Sequence, residues 1–359
     1  MNKPLVVVVH GMGEHTAESV VSEVSNACNV ALKSYKSRNN PEKLITDFVD
    51  IHAIAYDHIF QKEREDIGKN AEKLEALTAG LGLPKQFLEV LGNITEDNFV
   101  TTHILDLIFY ASTHGPMVQL SVAEQLATLL AKYPGRDLHI IGHSLGTAVV
   151  NDTIHKLYSS GIIGSDGQKY ALSKQLHPIS SLWMFSNASQ AYFDFNPFRN
   201  IANIAPYISI AKPSKDMSTA VRLYYNIMHK FDPLNLYPFE PKAGDGWISV
   251  RNYKNYYLYR ETEHLEHDLN PHSLSNYILD PLVRTRFLSR IIPEGAFIAS
   301  QEDKALIANL PITAPIPDEV SDAFSAIRRP ESFSEWISNL KVIIEAIKEG
   351  SDRISRFGG

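Results

Sequence analysis

Two short turns bracketed by glycines hold the residues best suited to chemistry. Gly142-His143-Ser144-Leu145-Gly146 sets a serine at the centre of the G-x-S-x-G spacing, and His10-Gly11-Met12-Gly13 ends a valine run near the start of the chain. A serine hydroxyl is a weak nucleophile until an imidazole takes its proton, and that imidazole needs a carboxylate to hold its tautomer. Presenting the hydroxyl requires a sharp strand-to-helix turn, where glycines two before and two after the serine remove side chains that would collide. The plainer reading is a glycine-rich turn with an incidental serine. The flanks argue against it: Asp137 to Ile141 is a strand-like run with β-branched residues, and Leu145-Gly-Thr-Ala-Val-Val150 opens an apolar helix. The chemistry that fits is attack on an acyl carbon.

Where a strand-to-helix turn of this type presents the serine, its partners are sought in loops at the carboxyl ends of later strands, the acid before the histidine. Asp232 leaves the strand-like run Val221 to Met228 through His229-Lys-Phe-Asp-Pro-Leu234, with Pro233 pinning the turn; Asp245 and Asp268 are the reserves. Among fourteen histidines, His272 in Asn270-Pro-His-Ser-Leu-Ser-Asn-Tyr277 follows the last expected strand and precedes a helix, with His264 and His267 as alternatives. His143 is expected to pack under the turn. The developing oxyanion needs backbone N–H donors, expected from Leu145 and from Met12, whose flanking glycines let its backbone approach a substrate. The cluster His264, His267, Asp268, His272 also has the composition of a metal site, but it lacks a His-Glu-x-x-His helix and a neighbouring cysteine.

The elements that must position these groups alternate between strand and helix. Strands are expected at about 5–9, 47–56, 137–141, 179–186, 221–228 and 256–261, and helices at 16–33 and 117–133, the latter stopped by Pro134-Gly135. Such alternation predicts an α/β fold with a mostly parallel sheet covered on both faces. The span from about 58 to 102 is helical in character and is read as an inserted cap. After a main domain over 1–292, the remainder 293–359 holds a proline-rich connector (310–318) and one amphipathic helix. That helix is capped by Ser332 and Glu335 and bears Phe333, Trp336, Ile337, Leu340, Ile344 and Ile347. It either packs back on the main domain or serves to dock a protein partner.

From residue 5 to about 290 the chain resembles the serine esterases and lipases of the α/β-hydrolase superfamily. His10-Gly11-Met12-Gly13 matches the family's oxyanion loop, Ser144 its nucleophile, Asp232 its acid and His272 its base. The His-Gly-Met-Gly turn with Glu14, the segment Leu105 to Tyr110, and Ser144 to Asp152 are similar to intracellular phospholipase A1-like proteins. The chain departs from the pattern in lacking the usual first two strands, in the insertion, and in its last sixty or so residues, which match nothing in the family.

Bulk properties set the frame. The 359 residues, 44% hydrophobic and 21% charged, suffice for a full core, and the net charge of −7 argues against a nucleic-acid partner. One cysteine, Cys28, excludes an intrachain disulfide and suits a reducing compartment; no run reaches the roughly 18 apolar residues of a membrane span. The expectation is a cytoplasmic carboxylic-ester hydrolase needing no metal or cofactor and acting on a small-molecule or lipid ester; a membrane surface is compatible with this but nothing in the residues indicates one. An acyl chain is expected beneath the inserted helices, near Tyr253, Tyr256, Tyr257 and Tyr259. The rivals are a catalytically silent interaction protein of the same fold and an acyltransferase using the same three residues.

Overall fold

A computed structural model of the chain describes residues 2–11, 16–36, 42–68, 106–107, 109–111, 114–190, 192, 212–213, 219–236, 257–310, 318–328, 330–331 and most positions of 335–349. Six strands form one sheet: β1 (Leu5–Val9), β2 (Asp50–Ile54), β3 (Leu138–His143), β6 (Ile179–Phe185), β7 (Tyr224–His229) and β8 (Tyr257–Thr262). Their order is β2-β1-β3-β6-β7-β8, and every neighbouring pair is parallel. A separate two-stranded antiparallel hairpin, β4 (Ile162–Ile163) with β5 (Lys169–Tyr170), was not expected from the sequence.

The valine run shows why the sheet is sandwiched. Side chains alternate across a strand, so an unbroken apolar run is stable only where both faces are covered. Leu5, Val7 and Val9 join one core cluster, and Val6 and Val8 the other. The first cluster includes apolar residues of α4 (Gly115–Lys132) and α5 (Leu145–Leu157), the second those of α1 (Ala17–Lys33), α6 (Leu274–Leu279), α7 (Pro281–Ile291) and α8 (Gln301–Ala308). Each fully buried Val or Leu contributes roughly 1.5–3 kcal/mol. Helix α1 starts where a reciprocal cap forms: the Thr16 hydroxyl accepts from the Ser19 N–H, and the Ser19 hydroxyl accepts from the Thr16 N–H, both at 3.1 Å.

Chain direction marks one crevice. From β1 the chain moves outward to β2, then returns past β1 to β3 and continues the other way. The loops after β1 and β3 therefore diverge at the carboxyl ends of adjacent strands, the place where open α/β sheets hold their ligands. The Ser144 turn lies there, and so do His10 and Gly11 directly after β1.

The expected second strand begins too early in the sequence reading. Residues Ile45–Phe48 form a one-turn helix, α2, because the Asp47 carboxylate accepts the Leu44 N–H at 2.8 Å and closes the turn; the strand starts at Asp50. Of the inserted span, α3 (Asp57–Gly68) is helical, and 69–102 lie outside the described residues. Arg64 on α3 pairs with fully buried Asp106, so the start of the span is tied to the helical stretch around 106–111.

At the far end, α8 and α9 (Asp318–Ala326) are helices the sequence reading missed, and helical residues recur from 335 to 349. Trp336 and Leu340 sit in the same core cluster as α4 and α5, and Ile343, one position from the expected Ile344, is fully buried. Residues 311–317, Ser332, Phe333, Ile337 and Ile344 lie outside the described residues. Cys28 is buried in α1, and burial pushes its thiol up to about 12. Among the described residues no helix is long and apolar enough to cross a membrane.

Candidate active site at the carboxyl ends of the strands

Ser144 follows β3 directly and caps α5, with φ 58° and ψ −134°. A side chain rarely adopts that backbone conformation, which costs about 1–3 kcal/mol and persists only where packing enforces it. The enforcement is visible. The Ser144 N–H donates to the Phe185 carbonyl at 3.0 Å, and its carbonyl accepts the Thr147 N–H at 2.9 Å and the Thr147 hydroxyl at 2.6 Å. A β-carbon on Gly146 would stand 2.1 Å from the Val9 carbonyl oxygen, and one on Gly11 would stand 2.5 Å from the Leu145 nitrogen. The start of α5 and the end of β1 thus meet backbone to backbone, which only glycine permits at these two positions.

His272 and Asp232 converge on this serine across 128 and 88 residues of chain. The Ser144 Oγ lies 3.0 Å from His272 Nε2, and Asp232 Oδ2 lies 2.8 Å from His272 Nδ1. A carboxylate only accepts, so Nδ1 carries the proton and Nε2 offers its lone pair to the serine hydroxyl. All three are buried, with Asp232 wholly inaccessible. Asp232 also accepts the Tyr277 hydroxyl at 2.6 Å and the Leu234 N–H at 2.8 Å. Burial by itself would raise its carboxyl; the His272 charge and the three hydrogen bonds outweigh burial and hold it below the usual carboxylate range. Burial, then the Asp232 charge, drive the Tyr277 hydroxyl well above its ordinary range, so Tyr277 remains a donor.

The loop carrying His272 is built by two asparagines. Asn276, buried on α6, donates to the carbonyls of Asp268 and Asn270 and accepts the His267 N–H; the Asn270 side chain accepts the His272 N–H at 3.0 Å. Helix α6 is tied to α1, where Glu23 accepts the N–H and the hydroxyl of Ser275. His143 is buried and holds the same loop from beneath: its Nε2–H donates to the His272 carbonyl at 2.9 Å, which leaves its Nδ1 to accept from His10 Nε2 at 3.1 Å.

The reserve candidates are placed elsewhere. His267 and Asp268 pair with each other at 2.9 Å on the exposed side of the loop, and His264 faces Glu266 at 3.8 Å. Asp245, Met12, Tyr253 and Tyr256 lie outside the described residues. Tyr257 Oη accepts from Asn226 on the neighbouring strand β7, a strand-face contact. Among the described residues no three of His, Cys, Asp and Glu gather as a metal site.

Sequence reasoning missed Ser186, Tyr277, Asn276 and Tyr56. Ser186 closes β6 with φ 54°, and its hydroxyl lies 3.1 Å from His272 Nδ1. Tyr56, fully buried after β2, donates its hydroxyl to the Gly11 carbonyl at 2.8 Å and so anchors the residue that packs against the Leu145 backbone. For Asn276 and Tyr277 a signal existed, since buried polar groups in the apolar helix Leu-Ser-Asn-Tyr-Ile-Leu need partners. Ser186 and Tyr56 have no local signature. What the site can do is transfer a proton from a buried, strained serine to an imidazole backed by a carboxylate, which generates an alkoxide-like nucleophile. Compared by sequence, the chain matches no family model and no curated protein.

Proposed function

We propose that the chain is a serine hydrolase of the α/β-hydrolase fold that cleaves carboxylic esters. One observation carries the reading: the relay of Ser144 Oγ, His272 and Asp232 at 3.0 and 2.8 Å, set at the carboxyl ends of β3 and β7 with the serine in a strained turn. His272 Nε2 takes the Ser144 proton as Oγ bonds to the ester carbonyl carbon, and the imidazolium is stabilised by Asp232. The Leu145 N–H, which has no partner inside the helix at its first position, receives the oxyanion together with a donor from the turn after β1, Met12 by the sequence reading. Collapse breaks the acyl–oxygen bond, and the alkoxide leaves with the proton from His272. Water, deprotonated by His272, then releases the acid and restores Ser144.

The test is covalent labelling of the full chain with a fluorophosphonate, read by intact mass on the native protein and on Ser144→Ala. One adduct per native chain and none on Ser144→Ala is expected, followed by turnover of a short-chain aryl ester. A folded native chain that stays unlabelled would overturn the reading in favour of a silent interaction protein. Product analysis with added alcohol separates hydrolysis from acyl transfer.

A further inference from the structure

At the opposite pole of the sheet, where the strands begin, lies a half-open cavity of about 880 Å³. That volume exceeds what a bare ion fills and falls in the range of small-ligand sites. Its rim carries three exposed cations from three separate segments: Arg222 ahead of β7, Arg290 near the end of α7, and Lys304 on α8. None of the three makes an ion pair among the described residues. Two carboxylates share the lining, Asp137, which accepts the Ser180 hydroxyl at 3.1 Å, and exposed Glu294. Three cations against two anions leave one net positive charge here, on a chain whose overall charge is −7. Ile292, Phe297 and Ala299, all buried, also line the cavity and give it an apolar wall.

We propose that this cavity binds a phosphate monoester with an apolar body, its head held by Arg222, Arg290 and Lys304 and its body against Phe297 and Ile292. A phosphate monoester carries close to two charges and three terminal acceptor oxygens, so three cations lining one cavity suit it better than they suit a singly charged carboxylate. A cation rim open to water lets the head enter solvated, and the apolar wall explains why the space is larger than the head. The site does not depend on the hydrolase reading, because it uses no residue of the Ser144 relay.

Octyl phosphate is the probe, titrated calorimetrically into full-length Ser144→Ala protein so that turnover cannot intrude. One molecule is expected to bind per chain, and Arg222→Gln/Arg290→Gln is expected to weaken it by at least about tenfold, the loss of charge-assisted hydrogen bonds. Lys304→Glu, an exposed change on α8, is expected to weaken it in the same direction without altering thermal unfolding. Octanoate, octanol and inorganic phosphate are expected to bind at least about tenfold more weakly than octyl phosphate. Equal binding of octanoate removes the phosphate assignment, and equal binding of inorganic phosphate removes the apolar body. Octyl phosphate affinity that is undetectable, or unchanged in the arginine variant, overturns the site itself.

Discussion

Asp232 and Asp152 are both buried aspartates, one just beyond β7 and the other inside α5, and their surroundings drive them in opposite directions. Asp232 is held low because His272, Tyr277 and the Leu234 N–H supply enough charge and hydrogen bonding to outweigh burial. Asp152 accepts the Tyr110 hydroxyl at 2.9 Å and a long contact from Asn151 at 3.4 Å, while the Lys156 ammonium acts on it by charge and spends a hydrogen bond on Gln119. Burial wins there and drives its carboxyl up to about 7. Loss of water alone does not decide the state of a buried acid. What decides it is how much charge and hydrogen bonding its neighbours supply against burial. Under the proposed function, the ionised aspartate is the one at the reaction centre, and the other is a structural group between α5 and the helical stretch around 110.

Substituting the acids tests that contrast most sharply. Asp232→Asn should leave a folded chain whose ester turnover is lower by about 10⁴-fold, since His272 loses the carboxylate that orients it. Steady-state assays alongside circular dichroism check this. Asp152→Asn should leave turnover intact and change the pH dependence of stability instead. The Asp152 carboxyl is raised in the fold from 3.8 to about 7. Its contribution is therefore most favourable below pH 3.8 and is lost as pH rises toward 7, at up to about 1.4 kcal/mol per pH unit. Denaturant melts at pH 5 and pH 8 should show Asp152→Asn gaining on the native chain at the higher pH; equal changes at both would refute the raised carboxyl.

The two tyrosines that donate to these acids extend the comparison at smaller scale. Tyr277→Phe removes a hydrogen bond to a charged acceptor, an effect of about 1.5–3 kcal/mol, so turnover should fall by roughly tenfold or more. The Asp232 carboxyl should also rise, because one hydrogen bond fewer then opposes burial, and a carboxyl that stays in place in an NMR titration would show that Tyr277 serves packing only. Tyr110→Phe should be the mildest, costing about 1 kcal/mol in chemical unfolding with turnover unchanged.

Much of this was legible locally. The valine run, the glycine spacing around Ser144 and the Thr16 cap act within a few residues, so β1, the strand-to-helix turn and α1 follow from short-range sterics and period. The clearest error falls where a single side chain overrides the pattern, with Asp47 closing a one-turn helix ahead of β2. His272 and Asp232 were narrowed by asking which loops leave strand ends. Ser186 and Tyr56 escaped because nothing in their neighbourhoods distinguishes them from other polar residues at strand ends.

By itself the sequence determined that there is a parallel, two-faced sheet and that a serine emerges from it at a glycine-bracketed turn, because alternation and backbone crowding are local properties. Only the tertiary structure decided that His272 and Asp232, rather than His267 and Asp268, stand at Ser144. Their meeting depends on β6 and β7 lying successively beside β3 and on Asn276 shaping the loop, which are contacts no spacing along the chain encodes. The same holds for the cations at the other pole. Arg222, Arg290 and Lys304 are unremarkable in the sequence and become a site only when the sheet and two helices bring them to one cavity.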